Sequence, residues 1–439
     1  MIYTIFGFYL LTRLAPYLYS SVPLGYDPGL YLYLFNSYSS VGLFEYTKLA
    51  NWLVEVYPPL LPFVVRIINI FVSPENILVP LALLAAASLY AATYYLVNHL
   101  YGKKTALVTL AILSLSIIQF KFYWWYYVKN IFAVALTLLL IALMNKKSKW
   151  AYAVAPAIVL LHQPTAIVAM MVLLLRKHDK QSLLTIAASA LAFVAYYVPN
   201  WDVTIAPYLP GFMRSLTPAS YGTESGTFYS LAESFWYMLP YLPLSIAALL
   251  NSKVKKDKSV MVLMLTSLVF AGGVFLSRRF VPILDISLII LAGAMLATFN
   301  KKIIVGYLIL LAIFFAVKLP EQAKPLINMD EYNEIQLLST TESDASILVA
   351  DNEYTPWIYG YSKRRAIAPG FGENDVYWNA SEWEDFWSSN NRAREMELLN
   401  KLPKPIYIYL GDKQRMILFR PDGECFTKFS WHTYKYICK

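Results

Sequence analysis

Over the first 319 residues, long apolar runs alternate with short basic segments. Runs near 2–19, 76–99, 105–119, 124–144, 181–199, 231–250, 259–277, 280–299 and 302–318 approach the length a transmembrane helix needs, about 20 residues, and are expected to be spans. The stretch 150–176 carries His162-Gln163-Pro164 at its middle and is too short for two full spans. It is either one kinked helix or two half-helices meeting at that polar tip. The run 58–73 holds Arg66 and Asn69 and fits a helix lying in the outer interface better than a span. From residue 320 the pattern changes. Period-2 runs at 346–350, 406–410 and 426–437 predict strands, and 381–402 predicts a helix opened by a capping box of Ser381 with Glu384. The expected fold is an α-helical polytopic membrane protein of about eleven membrane segments, residues 1–319, followed by a C-terminal soluble α/β domain, residues 320–439.

Composition narrows the class. The chain is 58% hydrophobic and only 15% charged, with mean hydropathy +0.47, which excludes a water-soluble globular protein. Its aromatic content of 16%, with 35 Tyr and 11 Trp, suits side chains that sit half in lipid and half in water. The net charge of +9 is unevenly placed: residues 1–319 hold 23 Lys and Arg against 10 Asp and Glu, and residues 320–439 hold 14 against 18. A basic excess confined to the apolar part orients membrane loops and argues against nucleic acid as a partner.

Fourteen basic residues fall in the short connections at 103–104, 146–149, 176–180, 253–258 and 301–302, which are therefore expected in the cytoplasm. Two of these clusters flank 150–176, so that stretch enters and leaves on one side as a half-helix pair. The remaining connections carry seven and face outward, including a long first outer loop, 20–75, with its interfacial helix. The N-terminus is then cytoplasmic and the C-terminal domain extracytoplasmic. Residues 1–18 lack a basic n-region and a small-residue cleavage site, and are expected to be retained as the first span.

No Gly-rich phosphate loop, metal-ligand cluster or Ser/His/Asp spacing is visible, so candidate chemistry comes from the outward acids. Asp27, Glu45, Glu55, Glu75, Asp202, Glu224 and Glu233 remain once cytoplasmic Asp179 and Asp257 and intramembrane Asp285 are set aside. Asp27 stands in Gly25-Tyr26-Asp27-Pro28-Gly29-Leu30-Tyr31, where a Gly/Pro-framed turn fixes a carboxylate at the membrane surface; the alternative role is an Asx-type cap.

Arg13, Asp27-Pro28-Gly29-Leu30-Tyr31, Gly42 and Tyr57-Pro58-Pro59-Leu60, followed late in the chain by Ser277-Arg278-Arg279-Phe280-Val281-Pro282, resemble in kind and order the GT-C glycosyltransferases. The match is to their protein mannosyltransferase and aminoarabinose transferase branch, in an archaeal-type form, and covers about residues 1–320. The resemblance implies transfer of a sugar from a polyprenyl (dolichyl) phosphate donor to a protein, lipid or glycan acceptor at the outer face of the cell membrane. It puts Asp27 at the catalytic position. Arg278 and Arg279 are then candidates for the donor phosphate, since Arg binds phosphate bidentately; two arginines beside a span also snorkel. Arg13, costly within a span, is a further candidate for phosphate or Asp27 contact, with snorkelling as its other role.

The chain also departs from the family pattern. The second acid near the fourth span is replaced by Lys129 and Asn130, which puts a two-carboxylate metal site in doubt; no cofactor is implied, and a divalent metal is without support. Tyr57 occupies the place of a lysine before Pro-Pro-Leu, so one phosphate contact is lost or moves to Lys121 or Lys129. Tyr31, Tyr57 and His162 are expected to line the substrate cavity, His162 alternatively serving as a structural hydrogen-bonder. The run Tyr123-Trp124-Trp125-Tyr126-Tyr127 reads as an interfacial aromatic belt or a sugar-stacking surface. Cys425 and Cys438, the only cysteines, lie in a hairpin-like stretch placed outside and are expected to pair. Two other classes fit a polar cavity between helices: a transporter or flippase of lipid-linked or small solutes, and a non-catalytic accessory subunit that kept the fold.

Overall fold

The computed structural model describes residues 2–19, 22, 25–38, 48–50, 53–54, 58–176, 179–206, 230–252, 254, 257–272, 277–349, 352–369, 377–388, 391–412 and 418–438. The helices of eight residues or more up to the first basic connection are α1 (Ile2–Tyr19), α2 (Pro28–Tyr38), α3 (Leu60–Asn69) and α4 (Pro74–Tyr101). There follow α5 (Lys103–Ser114), α6 (Ile117–Trp124), α7 (Val128–Asn145), α8 (Ala151–Leu161), α9 (Gln163–Leu175) and α10 (Lys180–Tyr197). The series continues with α11 (Leu231–Met238), α12 (Leu242–Leu250), α13 (Lys258–Ala271), α14 (Val281–Leu296) and α15 (Lys301–Gln322).

Among the described residues, α4, α7 and α15 are long and apolar enough to cross a membrane, and α5 with α6 adds a fourth crossing if that bent pair is one span. The expectation of about eleven membrane segments is thus met only as several apolar helices, because many of the remaining ones are shorter. Three breaks explain much of the shortening. The run 105–119 bends by 59° between α5 and α6, where the Ser116 hydroxyl accepts the Gln119 amide at 3.1 Å and restarts the helix. The run 231–250 divides at Leu239-Pro240-Tyr241, as expected when proline removes an amide from a helix interior. At 150–176, α8 ends and α9 begins on His162, whose backbone is extended.

The bundle is held by α4 against α5 and α7, α7 and α10 against α8, and α14 against α5, α12 and α13. Nearly every residue of α14 is buried, whereas α15 faces outward along most of its length. The short apolar α3 is tied to α2 by Asn69 Nδ2 donating to the Phe35 carbonyl at 2.9 Å.

The C-terminal part has α16 (Met329–Leu337), α17 (Ala380–Ser388) and α18 (Arg392–Asn400). With β1 (Lys48–Ala50) and β2 (Leu53–Val54) paired in the first loop, its strands are β3 (Ser346–Val349), β4 (Arg365–Ile367), β5 (Ile406–Tyr409), β6 (Phe426–Lys428) and β7 (Thr433–Tyr436). They form one sheet in the order β4-β3-β5-β7-β6, parallel among the first three and antiparallel beyond. Both faces are covered. Ile347, Val349, Tyr407 and Tyr409 point to one apolar layer with Trp357 and Ile358, and Leu348, Ile406 and Ile408 to another with Phe386 and Leu398. The capping box lies two residues before the expected one: Asn379 Oδ1 accepts the Glu382 amide at 3.0 Å and Glu382 Oε2 accepts the Asn379 amide at 3.0 Å. Cys425 and Cys438 are disulfide-bonded, with Cα atoms 4.9 Å apart, and join the start of β6 to the end of β7.

The sheet is not tethered loosely. The helical turns Thr355–Trp357 and Ile358–Ser362, which connect β3 to β4, pack directly on α2. Gly29 and Gly360 meet there, so that a Cβ on Gly29 would stand 2.1 Å from the Pro356 carbonyl oxygen and one on Gly360 2.2 Å from that of Gly29.

Candidate active site

The segment carrying Asp27 is fixed by backbone contacts to the turn after α6. Gly25 has φ +89°, a conformation natural to glycine, and a Cβ there would lie 2.0 Å from the Trp124 carbonyl oxygen. Tyr26 stacks on Trp125 at 5.5 Å between ring centres, and the Asp27 amide donates to the Trp125 carbonyl at 3.3 Å. Pro28 then starts α2, a position that suits its fixed φ and missing amide. The Tyr31 amide donates to the Asp27 carbonyl at 2.9 Å. The carbonyl of Asp27, not its carboxylate, thus opens the helix, and no described residue donates a hydrogen bond to the carboxylate.

Two cations act electrostatically on that carboxylate. Lys129, in the first turn of α7, and Arg279, exposed on the 3₁₀ turn Ser277–Phe280, both act on its charge. Burial pushes the Asp27 carboxyl up to about 7, while Arg279 and Lys129 pull the other way. Lys129 also sits over the Tyr31 ring at 5.9 Å from its centre, and Tyr31 packs edge-on against Tyr126 at 5.0 Å. His162 feels both cations. Its Nδ1 holds the Thr165 hydroxyl at 2.8 Å at the start of α9. Its Nε2 is buried without a partner among the described residues. Asp27, Lys129, Arg279, Tyr31 and His162 therefore converge.

Other expected site residues lie apart. Arg13 is wholly buried inside the bundle, its Nη1 donating to Thr12 Oγ1 at 2.8 Å and to the Tyr9 and Ser114 carbonyls at 3.3 Å each. Its guanidinium lies 3.7 Å from the Tyr9 ring centre, so neither snorkelling nor contact with Asp27 describes it. Lys121 reaches Gln322 Oε1 at 3.3 Å, covers Trp125 at 4.8 Å and feels Glu233, Glu353 and Glu321 instead of Asp27. Tyr57, Glu45, Glu55 and the side chain of Arg278 lie outside the described residues. The aromatic run is no lipid-facing belt: Tyr123, Trp124 and Tyr126 are each 1% exposed, because this turn backs the Asp27 loop.

Two features escaped the sequence. Tyr127 neighbours both Asp27 and Arg279; the aromatic crowding of its run hid it. Asp285, set aside as intramembrane, is the centre of a closed polar node. Ser116 Oγ and Gln119 Nε2 each donate to its Oδ2 at 2.9 Å, and the Tyr241 hydroxyl donates to Oδ1. Gln119 also donates to the Pro282 carbonyl at 2.9 Å, which locks the start of α14, just past Arg279, to the α5–α6 bend.

Among the described residues no group of three or more His, Cys, Asp and Glu comes together. Among the described residues the charged groups acting on Asp27 are Lys129 and Arg279, cations that do not themselves ligate a divalent metal.

The architecture is shared with solved structures of very different sequence. The apo oligosaccharyltransferase of Archaeoglobus fulgidus superposes with TM-score 0.57 at 12% identity, over 93% of this chain and 69% of that one. The same protein tethered with an acceptor peptide containing the NVT sequon gives 0.55 at 12% identity, over 93% and 68%. ArnT from Cupriavidus metallidurans bound to undecaprenyl phosphate gives 0.57 at 12% identity, over 93% of both chains. No protein-family model and no curated protein matches the sequence. The likeness to both an archaeal oligosaccharyltransferase and an aminoarabinose transferase extends over nearly the whole chain, and its fold is that of the GT-C glycosyltransferases.

Proposed function

We propose that this protein is a membrane glycosyltransferase that moves a sugar from a polyprenyl-phosphate donor to an acceptor hydroxyl at the outer face of the membrane. The observation that carries the reading is the carboxylate of Asp27, free of hydrogen bonds from described residues and flanked by Lys129 and Arg279 on a GT-C fold. In the proposed step the acceptor oxygen attacks the anomeric carbon and gives its proton to Asp27, while the bond from that carbon to the phosphate oxygen breaks. The electron pair leaves with the lipid phosphate, whose added charge Arg279 and Lys129 offset. A carboxyl near 7 matches a general base working at neutral pH. The buried His162 Nε2, without a partner among the described residues, is a candidate contact for a substrate oxygen.

The test is to incubate the purified protein with a panel of polyprenyl-phosphate sugars and measure release of polyprenyl phosphate. Release that Asp27→Asn abolishes supports the reading. No release with any donor favours a transporter or an accessory subunit. The proposed orientation, with the N-terminus in the cytoplasm and the sheet outside, requires a cysteine introduced by Lys302→Cys to be labelled only from the cytoplasm and one introduced by Glu424→Cys only from outside; labelling of both from one side would overturn it.

A further inference from the structure

Two helices, α7 and α9, start beside the Asp27 cluster, at Lys129 and His162, and end at Asn145 and Leu175. At about 1.5 Å of rise per residue their far ends lie about 20 Å from that cluster. There the connections 145–150 and 176–180 are pinned together. Arg176 Nη2 donates to the Met144 carbonyl at 3.1 Å, and Gln181 Nε2 donates to the Ser148 carbonyl at 2.7 Å. The Ser148 amide in turn donates to the Leu143 carbonyl at 2.9 Å. Arg176 and Lys147, one from each connection, act on the same carboxylate, that of Asp179. It is already used as a cap, its Oδ1 accepting the Ser182 amide at 2.8 Å at the start of α10. Lys146 is turned aside to the Tyr95 hydroxyl, to which it donates at 2.8 Å. The corner therefore gathers Lys147, Lys149, Arg176 and Lys180 against one acid, and its three lysines are exposed. Like charges held together repel, and an anion placed among them relieves that repulsion.

The geometry points to a binding site at this corner for the headgroup of an anionic phospholipid, with its acyl chains lying along α9 and α10. The site does not rest on the transfer reaction proposed above. Three features favour a lipid over a soluble phosphate. Trp150, next to Lys149, is 73% exposed, and tryptophan collects at headgroup level. Leu174 and Leu175 directly precede Arg176, and Leu183 and Leu184 follow Lys180 within one turn; all four are exposed. Charge thus gives way at once to apolar surface, in the order a phospholipid presents from phosphate to chain. Leu184, Leu191 and Val198 then continue this surface at seven-residue spacing along α10 and its C-terminal cap. They span about 21 Å, enough to line one leaflet of a hydrocarbon core about 30 Å thick. Another basic connection spends its charge internally: Lys104 Nζ donates to the Ala297 carbonyl at 2.7 Å and closes the end of α14.

The test is native mass spectrometry of the full chain released from detergent micelles, titrated with phosphatidylglycerol, phosphatidylcholine and glycerol phosphate. One phosphatidylglycerol per chain should be retained in preference to phosphatidylcholine, and glycerol phosphate should not displace it. A lysine near an anionic headgroup is worth about fivefold in affinity, so Lys147→Gln combined with Lys180→Gln should weaken retention about thirtyfold. Lys301→Gln combined with Lys302→Gln, the same change of charge at a different connection, should leave it unchanged. The inference is overturned if the two lipids are retained equally, or if the Lys147 and Lys180 double variant retains phosphatidylglycerol as the wild type does. An equal loss in the Lys301 and Lys302 double variant would also overturn it, by reducing the corner to diffuse charge. Displacement by glycerol phosphate would do so by making this a site for a soluble anion.

Discussion

Asp27 and Asp285 are both carboxylates set among aromatic and apolar neighbours, yet the chain treats them oppositely. Asp285 takes hydrogen bonds from Ser116 and Gln119 at the α5–α6 bend and from Tyr241 between α11 and α12. Its lone pairs are committed, and what they hold is the geometry of the bend before α6 and the start of α14. The Asp27 carboxylate takes no hydrogen bond from a described residue and is matched instead by the charges of Arg279 and Lys129. Charge at a distance stabilises a carboxylate without occupying its lone pairs, so those of Asp27 remain available to accept a proton from a substrate. The contrast teaches that burial alone does not mark a reactive acid. What separates the two is whether the protein has supplied the donors itself.

The largest expected effect breaks the comparison at Asp27. Asp27→Asn keeps the shape but removes the proton-accepting charge, and turnover should fall by about 10²–10⁴, the usual weight of positioned general-base catalysis. Donor binding should change little, as measured by titration with a polyprenyl phosphate. Near-normal turnover would remove Asp27 from the mechanism. Next in size is Arg279→Gln, which takes one cation from the departing phosphate. Loss of a charged hydrogen bond of about 1.5–3 kcal/mol would weaken lipid-phosphate affinity some 10- to 150-fold. Unchanged affinity in a folded variant would return Arg279 to an interfacial role and move the search for the phosphate cations to Arg278 or Lys129.

Asp285→Asn sharpens the comparison from its other side. The amide presents its own N–H toward one of the three donors, and an unsatisfied buried group costs about 1–3 kcal/mol. The midpoint of thermal unfolding should drop while turnover per folded molecule stays within a few-fold of wild type. A variant with wild-type stability and a hundredfold loss of turnover would show that Asp285 does more than hold the helices.

The difference between these two acids was only half legible in the sequence. Asp27 announced itself because its turn is local: Gly25, Pro28 and Gly29 shape the backbone within a few residues of the carboxylate. Asp285 looked like a lone acid in an apolar run, since its partners come from residues 44 to 169 positions away, and no periodicity carries that information. Lys121 and Lys129 looked interchangeable for a related reason. Between them Tyr126 adopts φ +67°, which ends one helix and re-aims the next, so one lysine goes to Gln322 and the other to Asp27. Most long apolar runs were legible as helices because lipid-facing or buried helices need little besides length and hydrophobicity. Their breaks were less so: Pro240 was visible but Ser116, an ordinary polar residue in a span, acts as a cap only in the folded bend.

The smallest expected effect concerns pH, and it separates charge from hydrogen bonding directly. A base works in its ionised form, so with the Asp27 carboxyl near 7, turnover should rise as pH increases through about 7 and be lost below it. Arg279 favours the ionised form, and Arg279→Gln should therefore shift the acid limb to higher pH. The shift should be modest, under about one pH unit, because Arg279 is exposed and its field is screened by solvent and salt. For the same reason raising the ionic strength should move the wild-type limb in that direction and leave the variant's nearly still. The measurement is a set of pH–rate profiles for wild type and Arg279→Gln at low and high salt, taken with saturating donor so that weaker binding does not distort them. A limb that stays near 7 in the variant, or that moves to lower pH, would mean that Arg279 does not act on Asp27. The open carboxylate would then be held ready by Lys129 alone, and Lys129→Gln should produce the upward shift that Arg279→Gln did not.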